Sequence, residues 1–262
     1  MNPLGCLCSG RYPINLLCMM HPIPTHGTVG QTMCTWNGGT LPLHFIEFDP
    51  ASFDLTAYER HAIACPPHVA RSVLQRQADY FFGRLAAREA LTALGLCRSE
   101  VGTGDSREPV WPPGVLGSIS HNERYAVAVA ADAGANGGIG IGIDIESIPT
   151  AALLAALRQT VLSRRELDYL SKADTNLPLA ILTTLIFSAK ESFYKASFKA
   201  VGRFFDFDAI ELIHIDPSHK AISFRIRETL ARALPGGAIR TVHYRMVGQR
   251  SIFTSCNLPP GE

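Results

Sequence analysis

From Ile139 to Glu146 every second residue is isoleucine, and the residues between them are Gly140, Gly142, Asp144 and Glu146. Period-two alternation is the pattern of a β-strand, which sends successive side chains to opposite faces of its sheet. The isoleucines commit one face to an apolar interior. Asp144 and Glu146 therefore project together from the other, about 7 Å apart along the strand. Two carboxylates so spaced can share one hard cation and leave its other positions to water and substrate phosphate, an arrangement that suits Mg²⁺ best. By itself a D-x-E pair reads first as two solvated acids at a strand end.

A second pattern follows. Leu179 to Ala200 reads as a helix, with Ile186, Ala189, Phe193, Ala196 and Ala200 at spacings of three and four on the face turned to the core. Glu191 falls almost opposite that stripe, with Lys195 one turn further on and Phe187 one turn back. Taken alone, Glu191 and Lys195 are an ordinary i,i+4 surface pair worth a few tenths of a kcal/mol. Beside the upstream acids they become candidates for chemistry.

The rest of the chain divides into two lobes. Residues 1 to 40 carry prolines, glycines and cysteines without periodicity and read as a poorly ordered extension, with Met19, Met20 and Met33 as candidate starts. The N-terminal lobe, 41 to 135, contains a helix from Arg71 to Leu94 with Leu74, Ala78, Phe81 and Leu85 on one face and Gly95 as its cap. Arg76 and Arg84 lie to one side of that stripe, while Arg88 falls closer to it and reads as a structural ion pair. Pro109, Pro112 and Pro113 exclude a helix after Arg107 and make a rigid loop. The alternation of Gly117 to His121 and Tyr125 to Ala130, with turn residues between them, predicts a hairpin with Ser120 and His121 at its end. The flexible run from Asp132 to Gly138 separates this lobe from the second, 136 to 258, where alternating segments past the helix predict antiparallel strands. Helices followed by meandering strands make the class α+β.

Composition excludes several roles. A 262-residue chain that is 47% hydrophobic can bury a sizeable core, and a net charge of +1 gives no basic field for nucleic acid. Its seven cysteines are an odd set without paired C-x-x-C spacings, which argues against a disulfide framework or a zinc site and points to a reducing cytoplasm. The apolar patch from Ile14 to Met20 is far shorter than the roughly 20 residues of a membrane helix. It also lacks the charged start and cleavage site of a signal peptide.

Gly142-Ile-Asp-Ile-Glu146 and Phe187-Ser-Ala-Lys-Glu-Ser-Phe-Tyr-Lys195 resemble the two signatures of the 4′-phosphopantetheinyl transferases. The stretch from Arg76 through Gly83-Arg84 to Arg88, then Arg107-Glu-Pro-Val-Trp-Pro112 and Gly117-Ser-Ile-Ser-His121, are similar to upstream motifs of that superfamily's enterobactin synthetase component D branch. Leu43-His-Phe-Ile-Glu-Phe-Asp-Pro50 looks like its opening strand. The likeness runs collinearly from about residue 41 to 258; Phe187 stands where many surfactin-type relatives have tryptophan.

This resemblance implies two similar lobes related by pseudo-twofold symmetry, each a small antiparallel sheet packed with helices, with the active site between them. It implies coenzyme A as substrate, its pyrophosphate on Mg²⁺ held by Asp144, Glu146 and Glu191, and its 3′-phosphate near Ser120 and His121, with Arg76, Arg84 and Arg107 nearby. Glu191 would act as general base, directly or through a water. Lys195, with Lys190, would offset charge on the departing phosphate. The acceptor would be a serine of apo acyl, aryl or peptidyl carrier domains of a non-ribosomal peptide synthetase assembling an enterobactin-like siderophore, with release of 3′,5′-ADP. A monomer with both lobes in one chain suffices. Two other readings share these residues: a catalytically silent module that binds coenzyme A or a carrier, and a Mg²⁺-dependent pyrophosphate hydrolase.

Overall fold

A computed structural model describes residues 21–23, 27–36, 39–136, 138–173, 175 and 177–259. The chain opens with β1 (His21–Ile23), β2 (Gly27–Trp36) and β3 (Gly39–Phe48), followed by short helices α1 (Ala57–Arg60) and α2 (Pro67–Ala70) and the long α3 (Leu74–Ala93). A two-stranded hairpin, β4 (Gly102–Thr103) and β5 (Pro109–Val110), precedes β6 (Val115–His121), β7 (Tyr125–Asp132) and α4 (Ala133–Asn136). Five of these strands form an antiparallel sheet in the order β1-β2-β3-β7-β6. The first 40 residues therefore need correction in part. From Gly27 to Trp36 the chain is a strand paired along its whole length with β3, whereas residues 1–20 lie outside those described. Backbone pairing, which needs no apolar alternation, orders this segment.

Helix α3 buries Ala78, Phe81 and Leu85 against that sheet as its spacing predicts, but Leu74, at its exposed first turn, stays 41% accessible. Gly95 caps it with φ of +80°: its N–H donates to Thr92 and the Leu96 N–H to Leu91, which satisfies the last carbonyls in a left-handed turn.

The second sheet begins with β8 (Gly140–Ser147). Three helices follow, α5 (Ala151–Val161), α6 (Arg164–Lys172) and α7 (Leu179–Val201), then β9 (Ile210–Asp216), β10 (Ala221–Ile226), β11 (Ile239–Val247) and β12 (Ser251–Leu258). Its antiparallel order is β8-β12-β11-β10-β9. In both lobes one strand leads into the helices and the last strand returns to lie beside it, β7 beside β3 and β12 beside β8. The architecture is α+β with two sheet-bearing lobes.

Helix α7 lies directly on β8. A Cβ at Gly140 would stand 1.8 Å from the Ala196 carbonyl oxygen, and one at Gly142 would stand 1.9 Å from that of Ser192. Only glycine permits this approach. Ile186, Ala189, Phe193 and Ala196 are buried as their spacing predicts. Ala200 is exposed, because the helix has run past the sheet by its last turn. The side chains of Ser188 and Ser192 both hydrogen-bond Thr254 on β12, which pairs with Asp144.

The odd-numbered isoleucines of β8 serve the other side. Ile141, Ile143 and Ile145 pack with Leu43, Leu116, Val127 and Val129 of the first lobe. This brings the edge strands β6 and β8 together without a ladder between them. The Ser118 hydroxyl accepts from the Ile143 N–H at 3.0 Å, and that of Ser120 from Ile145 at 3.3 Å, so serine side chains satisfy edge donors that a neighbouring strand would otherwise take. Arg245 of β11 adds a further tie by donating to the Met33 carbonyl at 2.9 Å. Among the described residues no helix is long and apolar enough to cross a membrane.

Candidate active site

Asp144 sits where β6, β8 and α7 meet. It is 2% exposed, and its Oδ1 accepts from Lys195 Nζ at 2.6 Å and from the Ser120 hydroxyl at 2.8 Å. Lys195 also donates to Ser120 Oγ at 3.0 Å, closing a triangle across the two lobes. The other oxygen, Oδ2, is buried with no hydrogen-bond partner. Two residues on, Glu146 shares that face of β8, and burial together with Asp144 pushes its carboxyl up to about 8; Glu191 and Glu123 add to the rise and Lys195 opposes it. Glu191, on α7 one turn before Lys195, is raised by burial and by Asp144, again against Lys195. The acids crowd a space that holds one ammonium.

The first lobe brings Arg76 and His121 to the same crevice. Arg76 Nη1 is 3.2 Å from His121 Nε2, and the His121 Nδ1 faces Asp79 Oδ2 at 3.7 Å. Burial, then Arg76 and Lys195, push the His121 imidazole down to about 4, so it is neutral. Arg84 is used differently from the expected phosphate grip. Its Nε donates to the Tyr80 hydroxyl and its Nη2 to the Gly102 carbonyl and Thr103 hydroxyl, so it fastens β4 to α3. Arg107 is exposed in the turn between β4 and β5, with a left-handed φ of +68°. Arg88 is structural as expected, but its partners are the carbonyls of His61 and Ala62, not a carboxylate.

Lys190 requires a correction. Though adjacent in sequence to Glu191, it turns away from the acids on β8, is 2% exposed, and its ammonium donates to Glu166 and to the Val161 carbonyl at 2.9 Å. A helix turns 100° per residue, so neighbours in sequence cannot share a narrow face. Glu166 also accepts the N–H groups of Ser163 and Leu212, which makes it the junction of α6, α7 and β9.

Next to Glu191 opens a small cavity of about 70 Å³ walled by Tyr194, Phe204, Phe205, Phe207 and Ile210, with Lys190 and Asp206 at its side. The Tyr194 ring packs against Phe198, Phe204 and Phe205. Phe204, 70% exposed, stands at its rim. The sequence reading attached no role to these residues, to Asp79, or to the bridging Ser118. The run Phe204-Phe205-Asp206-Phe207 directly after a Gly-capped helix was the available signal.

Among the described residues, no three His, Cys, Asp or Glu side chains are gathered into a ready-made metal cage. Asp144, Glu146 and Glu191 nonetheless face one space, where burial, Asp144 and Glu191 all raise the Glu146 carboxyl. Mg²⁺ is held by one or two carboxylates and completes its shell with water and substrate phosphate. The unpartnered Asp144 Oδ2 and the raised Glu146 both mark a deficit of positive charge at that point.

Fold and site together define a two-lobed protein with clustered acids and cations in the crevice between its sheets. Residues 64–131 match the model of the 4′-phosphopantetheinyl transferase N-terminal domain, and residues 140–237 that of the 4′-phosphopantetheinyl transferase superfamily. Enterobactin synthase component D of Salmonella typhi is 33% identical over 202 residues, 76% of this chain and 79% of the relative. The protein of that name in Escherichia coli K12 is 35% identical over 73% of this chain and 91% of its own length. The 4′-phosphopantetheinyl transferase Svp of Streptomyces mobaraensis is 36% identical over 61% of this chain and 63% of its own length. The chain belongs to the 4′-phosphopantetheinyl transferase superfamily and is an enzyme of that class.

Proposed function

We propose that this transferase moves the 4′-phosphopantetheine group of coenzyme A onto a serine of apo aryl- or peptidyl-carrier domains, with Mg²⁺ bound, and releases 3′,5′-ADP. The observation that carries the reading is the interlobe triangle of Asp144, Ser120 and Lys195 flanked by two carboxyls of raised pKa. Asp144 and Glu146 would hold Mg²⁺, which supplies charge neutralisation at the pyrophosphate.

Glu191 is the candidate base. Its raised carboxyl is a stronger proton acceptor than a solvated glutamate, and it can take the serine hydroxyl proton directly or through a water. The serine oxygen then forms a bond to the β-phosphorus as the bond to the bridging oxygen breaks. That oxygen leaves on the α-phosphate of 3′,5′-ADP, where Lys195 offsets the developing charge. Arg76 and His121 lie on the first-lobe side of the same crevice and suit the 3′-phosphate, with Arg107 of the exposed β4–β5 turn as a further candidate. The aromatic cavity beyond Glu191 offers the pantetheine arm an apolar wall. Relatives named for enterobactin synthase favour siderophore-type carriers and an assembled synthetase as partners. The reducing cytoplasm, where coenzyme A is available, suits this role.

Incubation with coenzyme A, Mg²⁺ and an apo carrier domain, read by intact mass of both components, distinguishes the readings. Gain of a phosphopantetheine group on the carrier is expected. An unchanged carrier with intact coenzyme A would indicate a silent binding module, and coenzyme A breakdown without carrier modification a hydrolase.

A further inference from the structure

Asp79 is a buried carboxylate that the mechanism above leaves unused. It is 8% exposed in the first half of α3, and its Oδ1 accepts from Gln75 Nε2 at 2.8 Å. Its Oδ2 faces His121 Nδ1. On the far side of the same imidazole stands Arg76, one helical turn before Asp79. Arginine can only donate. His121 Nε2 must therefore accept from Arg76 in the free protein, which leaves the ring hydrogen on Nδ1, directed at Asp79.

That tautomer cannot donate to a phosphate from Nε2. An incoming phosphate monoester draws the Arg76 guanidinium towards itself and frees Nε2, and a donor at that atom then requires a second proton on the ring. We propose that Asp79 is a positioning residue: with the coenzyme's 3′-phosphate bound, it holds His121 as a two-donor imidazolium, with Nδ1–H on Asp79 and Nε2–H on the phosphate. The proton comes from solvent.

The groups around the ring are consistent with such a switch. Burial first, then Arg76 of α3 and Lys195 of α7, keep the free imidazole neutral, while Asp144 of β8 favours the charged ring and Asp79 of α3 stands 3.7 Å from its Nδ1. Glu123, in the turn after β6, lies near Asp79 and keeps the local potential negative. A bound dianion reverses the balance set by the two cations. Asp79 itself is raised by burial, so an imidazolium beside it relieves the cost of its charge. This inference rests on the proposed use of coenzyme A and on the 3′-phosphate lying at Arg76 and His121.

The test compares kinetics with coenzyme A and with 3′-dephospho-coenzyme A for the full chain, Asp79→Asn, His121→Gln and the double variant. Asp79→Asn should raise KM for coenzyme A roughly 10-fold, the scale of one charge-assisted hydrogen bond. Its kcat should stay within about twofold and its KM for the dephospho form should not move, so that the preference for the 3′-phosphate falls. In the His121→Gln background Asp79→Asn should change nothing further. Equal KM increases for both substrates, or additive effects in the double variant, overturn the proposal. A second measurement does not depend on an Asp79 variant folding. Calorimetry of 3′,5′-ADP binding in buffers of different ionisation enthalpy should show more proton uptake by the wild type than by His121→Gln, and equal uptake also overturns it. If the wild type uses neither coenzyme A form, the functional reading fails and this proposal fails with it; normal coenzyme A use with an unchanged substrate preference in Asp79→Asn refutes the role of Asp79 alone.

Discussion

Individual residues in this chain separate according to what their charges meet. Lys190 and Lys195 are five apart on one helix, yet the first is locked in a buried pair with Glu166 and the second pairs with Asp144 of its own lobe and donates to Ser120 across the interlobe crevice. Burial pushes the Lys190 ammonium towards losing its proton and Glu166 opposes this, so removing either partner strands a charge. Lys190→Ala should destabilise the fold by about 3–5 kcal/mol in chemical denaturation. Lys195→Ala should cost activity as well as some stability, since it leaves buried Asp144 without its ammonium. A Lys190→Ala protein of unchanged stability would show that the pair is not the anchor described. The sequence made Glu191 and Lys195 legible because a helical wheel separates an apolar stripe from its opposite face. It could not separate Lys190 from them, because its partner lies in another helix. Asp79 was hidden for the same reason: a polar residue beside Ala78 and Phe81 shows its burial only once α3 meets β6.

At the scale of elements, the decisive contact is α7 on β8. Gly142 permits the helix to lie against the strand, and Glu191 and Lys195 reach the acidic pair only because it does. Gly142→Ala places a methyl against the Ser192 carbonyl, a backbone atom that cannot rotate away. The substitution should cost about 3 kcal/mol of stability, the upper range for overpacking. It should also slow transfer by roughly 100-fold, the effect of about 1 Å of misplacement at a reacting centre. Urea unfolding and single-turnover carrier loading measure the two effects, and a variant normal in both would remove this contact from the account. The strand and helix were readable from their periods of two and 3.6, and the later strands from alternation. Strand β2 was not, since Gly27 to Trp36 mixes glycine, glutamine and threonine with few apolar residues. Its available signal was Asn37-Gly38 in the sequence between the paired Trp36 and Gly39, the dipeptide most favoured between hairpin strands.

Across the whole molecule, each lobe has its own core, and the first carries a latent acid sensitivity. His44 of β3 is 7% exposed, its Nε2 has no hydrogen-bond partner, and burial lowers its pKa from 6.5 to about 4. A lowered histidine favours the fold while neutral, so its contribution is complete above about 6.5 and is lost as pH falls towards about 4, amounting to about 3 kcal/mol. The raised Glu146 and Glu191 act in the opposite sense, favouring the fold at low pH and losing that contribution as pH rises through their folded pKa values. His44→Phe isolates the histidine: its melting temperature should fall less than that of the wild type between pH about 7 and about 5. Parallel melting curves for the two proteins would count against the assignment. Joining the lobes through Ser118, Ser120 and the β8 isoleucines places the acids of one lobe beside the cations of both. The account depends most on Asp144 at that junction. Its direct test is the single-turnover rate at which Asp144→Ala and the wild type load an apo carrier domain from coenzyme A with Mg²⁺ present, both proteins being confirmed folded. A loss of at least about 100-fold is predicted, the scale of removing a preorganised charge from a phosphoryl-transfer site; loading at the wild-type rate would contradict the central claim.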